Sequence, residues 1–158
     1  MSQFPQLIQA DMDALDGEMR DLLRKSEANL ALLVEKAGYL IHQCGSQEAM
    51  DSATFATLGS NAFNAVQFMA RLVNEGNFTS MYQQGERYST LMLNVDENAL
   101  LVLVFPTHLT LGSVKYYATP AALAIGVLIR SASLRVGVNS LDLSDLDPLD
   151  IGEIFRGK

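Results

Sequence analysis

The chain has 158 residues, of which 49% are hydrophobic, enough for one domain with a packed core and a short appendage. Eighteen acidic residues against eleven Lys and Arg give a net charge of −7, which argues against nucleic acid and anionic membrane as direct partners, since both attract a positive surface. The single cysteine, Cys44, excludes an internal disulfide, and the N-terminal stretch has neither a basic region nor a long apolar run, so the expectation is a cytoplasmic protein in a reducing compartment.

In chain order, residues 6–27 predict a first helix. Ile8, Met12, Leu15, Met19, Leu22 and Leu23 recur at helical spacing. Asp11, Asp13 and Asp16 come early while Arg20, Arg24 and Lys25 come late, the order a helix dipole favours. Residues 30–34 are continuously apolar, as in a strand covered on both faces. Residues 35–38 make a tight connection, and 39–42 return as the second strand of a hairpin.

A long helix is expected over residues 51–76, capped by Asp51 or Ser52 and closed by Gly76 in the left-handed conformation. Phe55, Leu58, Ala62, Val66, Met69 and Val73 form the stripe expected to seal the sheet. The opposite face carries Ser60, Asn61, Asn64, Gln67, Phe68 and Arg71. It is nearly uncharged, whereas a merely solvated face normally carries Glu and Lys.

Three strands are expected over residues 78–83, 88–95 and 99–105, the last being the most apolar and the central one. Its apolar run is too short to cross a bilayer. Helical spacing resumes after Thr110 with Leu111, Val114, Ala118, Ala122, Ile125 and Ile129, and should end near Ser133. Pro120 lies inside it and should kink the helix or restart it with Thr119 as cap. Lys115, Tyr116 and Tyr117 read equally as helix or as a short sixth strand. Residues 135–158 form an acidic tail read as flexible, with a helix start at Asp147 and Pro148 followed by Leu149, Ile151, Ile154 and Phe155. The whole is therefore an α+β domain over residues 1–134, a five-stranded antiparallel sheet between helices, with residues 135–158 as an appendage.

The chain carries little that reads as an active site. No phosphate loop occurs. His42 and His108 have no acidic or cysteine neighbour at metal-ligand spacing, so no metal or other cofactor is expected. Cys44 has no nearby basic residue to activate it. The informative features are surfaces instead. Phe68 is either wrapped by the sheet and loops or serves as an aromatic interface anchor. Asn61 is balanced between capping a loop and contacting a partner. The segment 78–83 reads as an edge strand, either solvated or paired with a second copy across a two-fold axis through Phe78, Ser80, Met81 and Tyr82. The apolar turn within the acidic tail has the pattern of a segment that folds on binding.

Residues 28–133 resemble the Roadblock/LC7 family, and within it the bacterial MglB branch. The resemblance rests on Asp51 ahead of the helix, Leu58 with Ser60 and Asn61 inside it, and Gly76, Asn77 and Phe78 after it. Gly85, the run Leu101, Val102, Leu103, Val104 and Phe105, and then Leu111, Gly112 and Val114 complete the set. The tail is similar to the acidic-apolar C-terminal motif of that branch. The resemblance implies a homodimer that continues its sheet across the edge strand. It implies no enzymatic activity of its own, and a Ras-like small GTPase of the MglA type as partner. Such proteins raise GTP hydrolysis by repositioning the GTPase's own catalytic residues, in the control of cell polarity or gliding. The open helix face supplies the candidate partner-binding residues Asn61, Asn64, Ala65, Phe68 and Arg71, and the resemblance implies that the tail, with Leu149, Ile151, Ile154 and Phe155, docks elsewhere on the GTPase. The implied location is the cytoplasm, at the cell poles. A scaffold of the dynein-light-chain type, without effect on nucleotide turnover, is the alternative.

Overall fold

The computed structural model describes residues 3–139. Its elements run α1 (Gln9–Ser26), β1 (Leu30–Glu35), β2 (Leu40–Gly45), α2 (Ser52–Leu72), β3 (Ser80–Gln84), β4 (Tyr88–Asn94), β5 (Ala99–Pro106) and α3 (Leu111–Asn139). The expected order and number of elements hold. The strands form one antiparallel sheet in the order β2-β1-β5-β4-β3, with β5 central as expected.

Alternation along the strands builds two cores. Leu101, Leu103 and Phe105 of β5 point with Ala31 and Leu33 of β1 into the layer made by α1 and α3. Leu100, Val102 and Val104 point with Leu30, Leu32 and Val34 into the layer under α2. Both strands are therefore buried on both faces, which is why they read as unbroken apolar runs. Two local devices fix the turns. Asp96 Oδ1 accepts from the backbone N–H groups of Asn98 (2.7 Å) and Ala99 (2.8 Å) between β4 and β5. Gly85, between β3 and β4, lies so close to the Tyr88 carbonyl that a Cβ would come within 2.4 Å of it.

The helices depart from expectation in instructive ways. In α1, Leu15, Met19 and Leu22 are buried, but Ile8 is exposed and sits at the cap, where its N–H donates to Asp11 Oδ2 (2.9 Å). In α2, Asp51 is the cap, accepting from Ala53 N (3.1 Å) and Thr54 N (3.4 Å). The helix ends at Leu72, and Asn74, not Gly76, adopts the left-handed conformation that closes it. Asn tolerates that region because its short polar side chain bonds locally.

The buried seam of α2 is also rotated from the predicted one. Ala56, Gly59, Ser60 and Phe63 face the sheet, whereas Leu58, Met69 and Val73 are exposed. The helix approaches on its small residues: a Cβ at Gly59 would lie 3.1 Å from Met92 Cε of β4. Ser60 is buried at little cost because its hydroxyl donates to Thr57 O (3.0 Å). Phe63 fills the remaining space, with its ring 4.9 Å from that of Phe78.

The predicted stripe of α3 is correct for Val114, Ala118, Ala122, Ile125 and Ile129. Thr110 caps it through Ser113 N (3.1 Å). Residues 115–117 are helical, so no sixth strand forms. Pro120 does not restart the helix, and Thr119 bonds back to Lys115 O (2.9 Å) instead of capping. The helix also continues six residues past Ser133, to Asn139. Arg135, expected in the tail, pairs with the buried Asp11 of α1 and ties the two helices together. By length and apolarity alone residues 111–135 would suffice to cross a membrane; here one face of that helix is core.

Two measurements check this architecture. Phe63→Ala should lower the unfolding free energy by about 3–5 kcal/mol, and Asn61→Ala, on the open face, by less than about 0.5 kcal/mol, both read by denaturant titration. The second concerns acid. Asp11, held by Arg135 and the Ile8 N–H, and Asp16, Asp21 and Asp51 all have their carboxyl pKa lowered below 3.8. A depressed folded pKa means stability that is complete above the unfolded value and is lost as pH falls through the folded one. Denaturation midpoints should therefore hold down to about pH 4 and then drop, and Asp11→Asn should make that drop shallower.

Candidate partner-binding surface

The outward face of α2 lies about half a turn from the Ala56–Phe63 seam. It presents Leu58, Asn61, Ala62, Ala65, Phe68, Met69 and Leu72, all exposed. Phe68 is 67% exposed, Leu58 62% and Leu72 81%, so neither the sheet nor a loop wraps the aromatic ring. Docking through small residues has sent the bulky ones outward. The face is consequently more apolar than its predicted Asn/Gln/Phe composition. Isolated exposed apolar side chains are ordinary, but a contiguous run along one helix face marks an interaction surface.

The predicted contact residues divide in the fold. Asn61, Ala65 and Phe68 share the open face. Arg71 sits at its flank with its guanidinium 5.6 Å from the Phe68 ring centroid, a cation–π arrangement. Asn64 is half-buried and turned inward: its amide donates to Lys36 O (3.1 Å) in the β1–β2 turn. Asn64, not Asn61, is thus the residue that holds a loop. Thr57 Oγ1 adds a second tie to the same turn, donating to Gly38 O (2.9 Å).

The edge also divides. β3 is the last strand of the sheet, as predicted, with one side unpaired among the described residues. Phe78, however, precedes the strand and packs inward beside Phe63, in the layer under α2. Met81 is half-buried in that same layer. Tyr82 is exposed on the opposite face of the sheet, where it stacks on Phe105 with ring centroids 6.3 Å apart. Ser80 Oγ lies 3.4 Å from Lys115 Nζ of α3. Ser80 and Tyr82 therefore look toward α3, and only the β3 backbone, with the rims of these side chains, is open to a second copy. The tail residues Leu149, Ile151, Ile154 and Phe155 lie outside the described residues.

One cluster escaped the sequence reading. Folding brings Asp16 of α1 onto β2, where His42 Nε2 donates to Asp16 Oδ1 (2.8 Å) and Cys44 Sγ donates to the same oxygen (3.2 Å). The other oxygen takes Arg20 Nε at 2.6 Å. The signal was His42 and Cys44 two apart on a strand, hence on one face; their acidic partner is 26 residues away from His42 and not visible as a spacing. Cys44 lies within β2 and is 2% exposed; burial, then the Asp16 carboxylate, push its thiol up to about 11, which removes it as a nucleophile at neutral pH. The bond to Arg20, then those to His42 and Cys44, hold the Asp16 carboxyl well below the usual carboxylate range.

A family model, the Roadblock/LC7 domain, matches residues 16–105. Among solved structures, an MglB with tetrameric arrangement is 30% identical and superposes with a TM-score of 0.75 over 84% of this chain and 99% of that one. The gliding protein MglB from Thermus thermophilus is 28% identical, with a TM-score of 0.74 over 83% and 99%. Myxococcus xanthus MglB is 25% identical, with a TM-score of 0.71 over 74% and 95%. No curated protein matches the chain in sequence. Matched over more than half its length by the family model, and carrying the three-helix, five-stranded antiparallel architecture of these MglB structures, the chain belongs to the Roadblock/LC7 family, whose members are generally regulators or adaptors rather than enzymes.

Proposed function

We propose that this protein is a homodimeric regulator of an MglA-type, Ras-like small GTPase, raising its GTP hydrolysis in cell polarity or gliding motility. The observation that carries the reading is the open apolar face of α2, with Phe68 at its centre and Arg71 stacked beside it. Its likeness to a gliding protein of Thermus supports the biological setting. The open backbone of β3 supplies the pairing edge for the dimer, and part of the α2 face lies against the second copy.

Activation follows from shape rather than from a donated catalytic group. A Ras-like GTPase hydrolyses GTP slowly until its own water-orienting residue and switch segments are held in place. A rigid apolar helix face is suited to holding such segments, because ordering them is the entropic cost of the reactive state. Arg71 is engaged with Phe68 and serves packing, not insertion into the nucleotide site. The tail residues Leu149, Ile151, Ile154 and Phe155 dock on the GTPase away from that site. The protein works in the cytoplasm, at the cell poles.

The test is GTP hydrolysis by a purified Ras-like GTPase of the same organism with and without the full chain. The wild type should sediment as twice 17.3 kDa and accelerate hydrolysis. Phe68→Glu should weaken the complex by about 30-fold or more, the scale of an aromatic hot spot, with circular dichroism unchanged. Binding without acceleration would leave an adaptor of the dynein-light-chain type; absence of binding would remove the proposal. Deleting residues 140–158 should leave thermal unfolding unchanged and lower affinity for the GTPase, measured by titration calorimetry.

A further inference from the structure

The Asp16, His42 and Cys44 side chains converge at the opposite margin of the molecule from the β3 edge. Their ligating atoms, Asp16 Oδ1, His42 Nε2 and Cys44 Sγ, all lie within 4.8 Å of one another. Two come from alternate positions of β2, an edge strand, and the third from the helix that packs over it. We propose that this cluster is a zinc-class divalent metal site that clips α1 to the edge of the sheet.

Geometry and ligand chemistry carry the assignment. Zinc bonds of about 2.3 Å to sulfur and about 2.0–2.2 Å to nitrogen and oxygen place tetrahedral ligands about 3.5 Å apart. Asp16 Oδ1 is already 2.8 Å from His42 Nε2 and 3.2 Å from Cys44 Sγ. The two pairs that involve Asp16 therefore need to part by less than about 1 Å to admit the ion, while His42 Nε2 and Cys44 Sγ lie within 4.8 Å of each other. One carboxylate oxygen now receives both the imidazole and the thiol, so two of the ligand atoms already converge on the third. The set joins a soft thiolate, an imidazole and a carboxylate, which selects zinc and its neighbours cobalt, nickel and copper over magnesium or calcium, which take oxygen.

Access and charge agree with this. Cys44 forms the buried floor, while Asp16 and His42 are partly exposed and leave a fourth position for water. Arg20 holds the second Asp16 oxygen and fixes the carboxylate's orientation, the role an outer partner plays at a metal centre. Binding exchanges one proton for the ion: the Cys44 thiol gives its proton to solvent, Asp16 is already ionised, and His42 coordinates through Nε2 by moving to Nδ1 the hydrogen it now donates to Asp16. The site lies in the α1 layer, so its occupancy is read by stability and spectroscopy, independently of the proposed GTPase function.

The experiment adds Zn2+ and, separately, Co2+ to the metal-free full chain. One ion per chain should bind, the melting temperature should rise, calorimetry in buffers of different ionisation enthalpy should report release of about one proton per ion, and Co2+ should give thiolate-to-metal charge-transfer absorption. Cys44→Ser should abolish that absorption, and His42→Ala should weaken binding by more than about tenfold. Because Cys44 is a core residue, Asp16→Asn at the solvent margin provides a second variant, and it too should weaken binding while the fold persists. Failure to bind, binding without thiolate absorption, or affinity unchanged in Asp16→Asn and His42→Ala would each overturn the site.

Discussion

The contact on which the rest depends is the close seating of α2 on the sheet through Ala56, Gly59 and Ser60. At Gly59 the approach to Met92 leaves no room for a larger residue without displacing that methionine. Phe63 is the one large side chain of α2 that is fully buried in this layer, and Phe55, Phe78 and Met81 pack around it half-buried. The consequence is geometric. Several bulky residues of α2 are displaced to the far side, where nothing among the described residues covers Leu58, Phe68, Met69 or Leu72. Close packing inside and an apolar face outside are two results of one helix phase.

The other layer is held differently. α1 and α3 share a conventional large-residue core, in which Leu15, Met19 and Leu22 meet Val114, Ala118, Ile125 and Ile129. Charged groups then fix α1 at two points. Asp11 at its start takes the Ile8 N–H and the Arg135 guanidinium. Asp16 in its middle takes His42 and Cys44 of β2 and Arg20 of its own helix. Both carboxyls are held ionised by these partners. The open face of α2 is thus backed by a sheet whose opposite face is anchored by packing and by charge-assisted hydrogen bonds.

Much of the fold was legible because strand burial leaves a direct mark. β1 and β5 are covered on both faces and so are apolar at nearly every position, and α3 buries the residues that its helical spacing picks out. The cap at Asp51 follows from the short acceptor this side chain provides. The surface was legible in outline: Phe68 is exposed, as one reading of its phase expected. Its composition was not, because apolar bulk and burial are different quantities. A stripe assigned by counting large residues picks Leu58, Met69 and Val73, while the sheet selects for closeness and picks Gly59 and Ser60.

The sequence by itself determined the order of elements, the central strand and the family, since each depends on local periodicity or on motifs close together in the chain. Only the tertiary structure decided which side of α2 faces out, that Asn64 turns to the Lys36 carbonyl, that α3 runs on through Pro120 to Arg135, and that Asp16 meets His42 and Cys44. The physical reason is common to all four. Each is settled by an approach between segments distant in the chain, and neither propensity nor spacing encodes how near two packed elements will come.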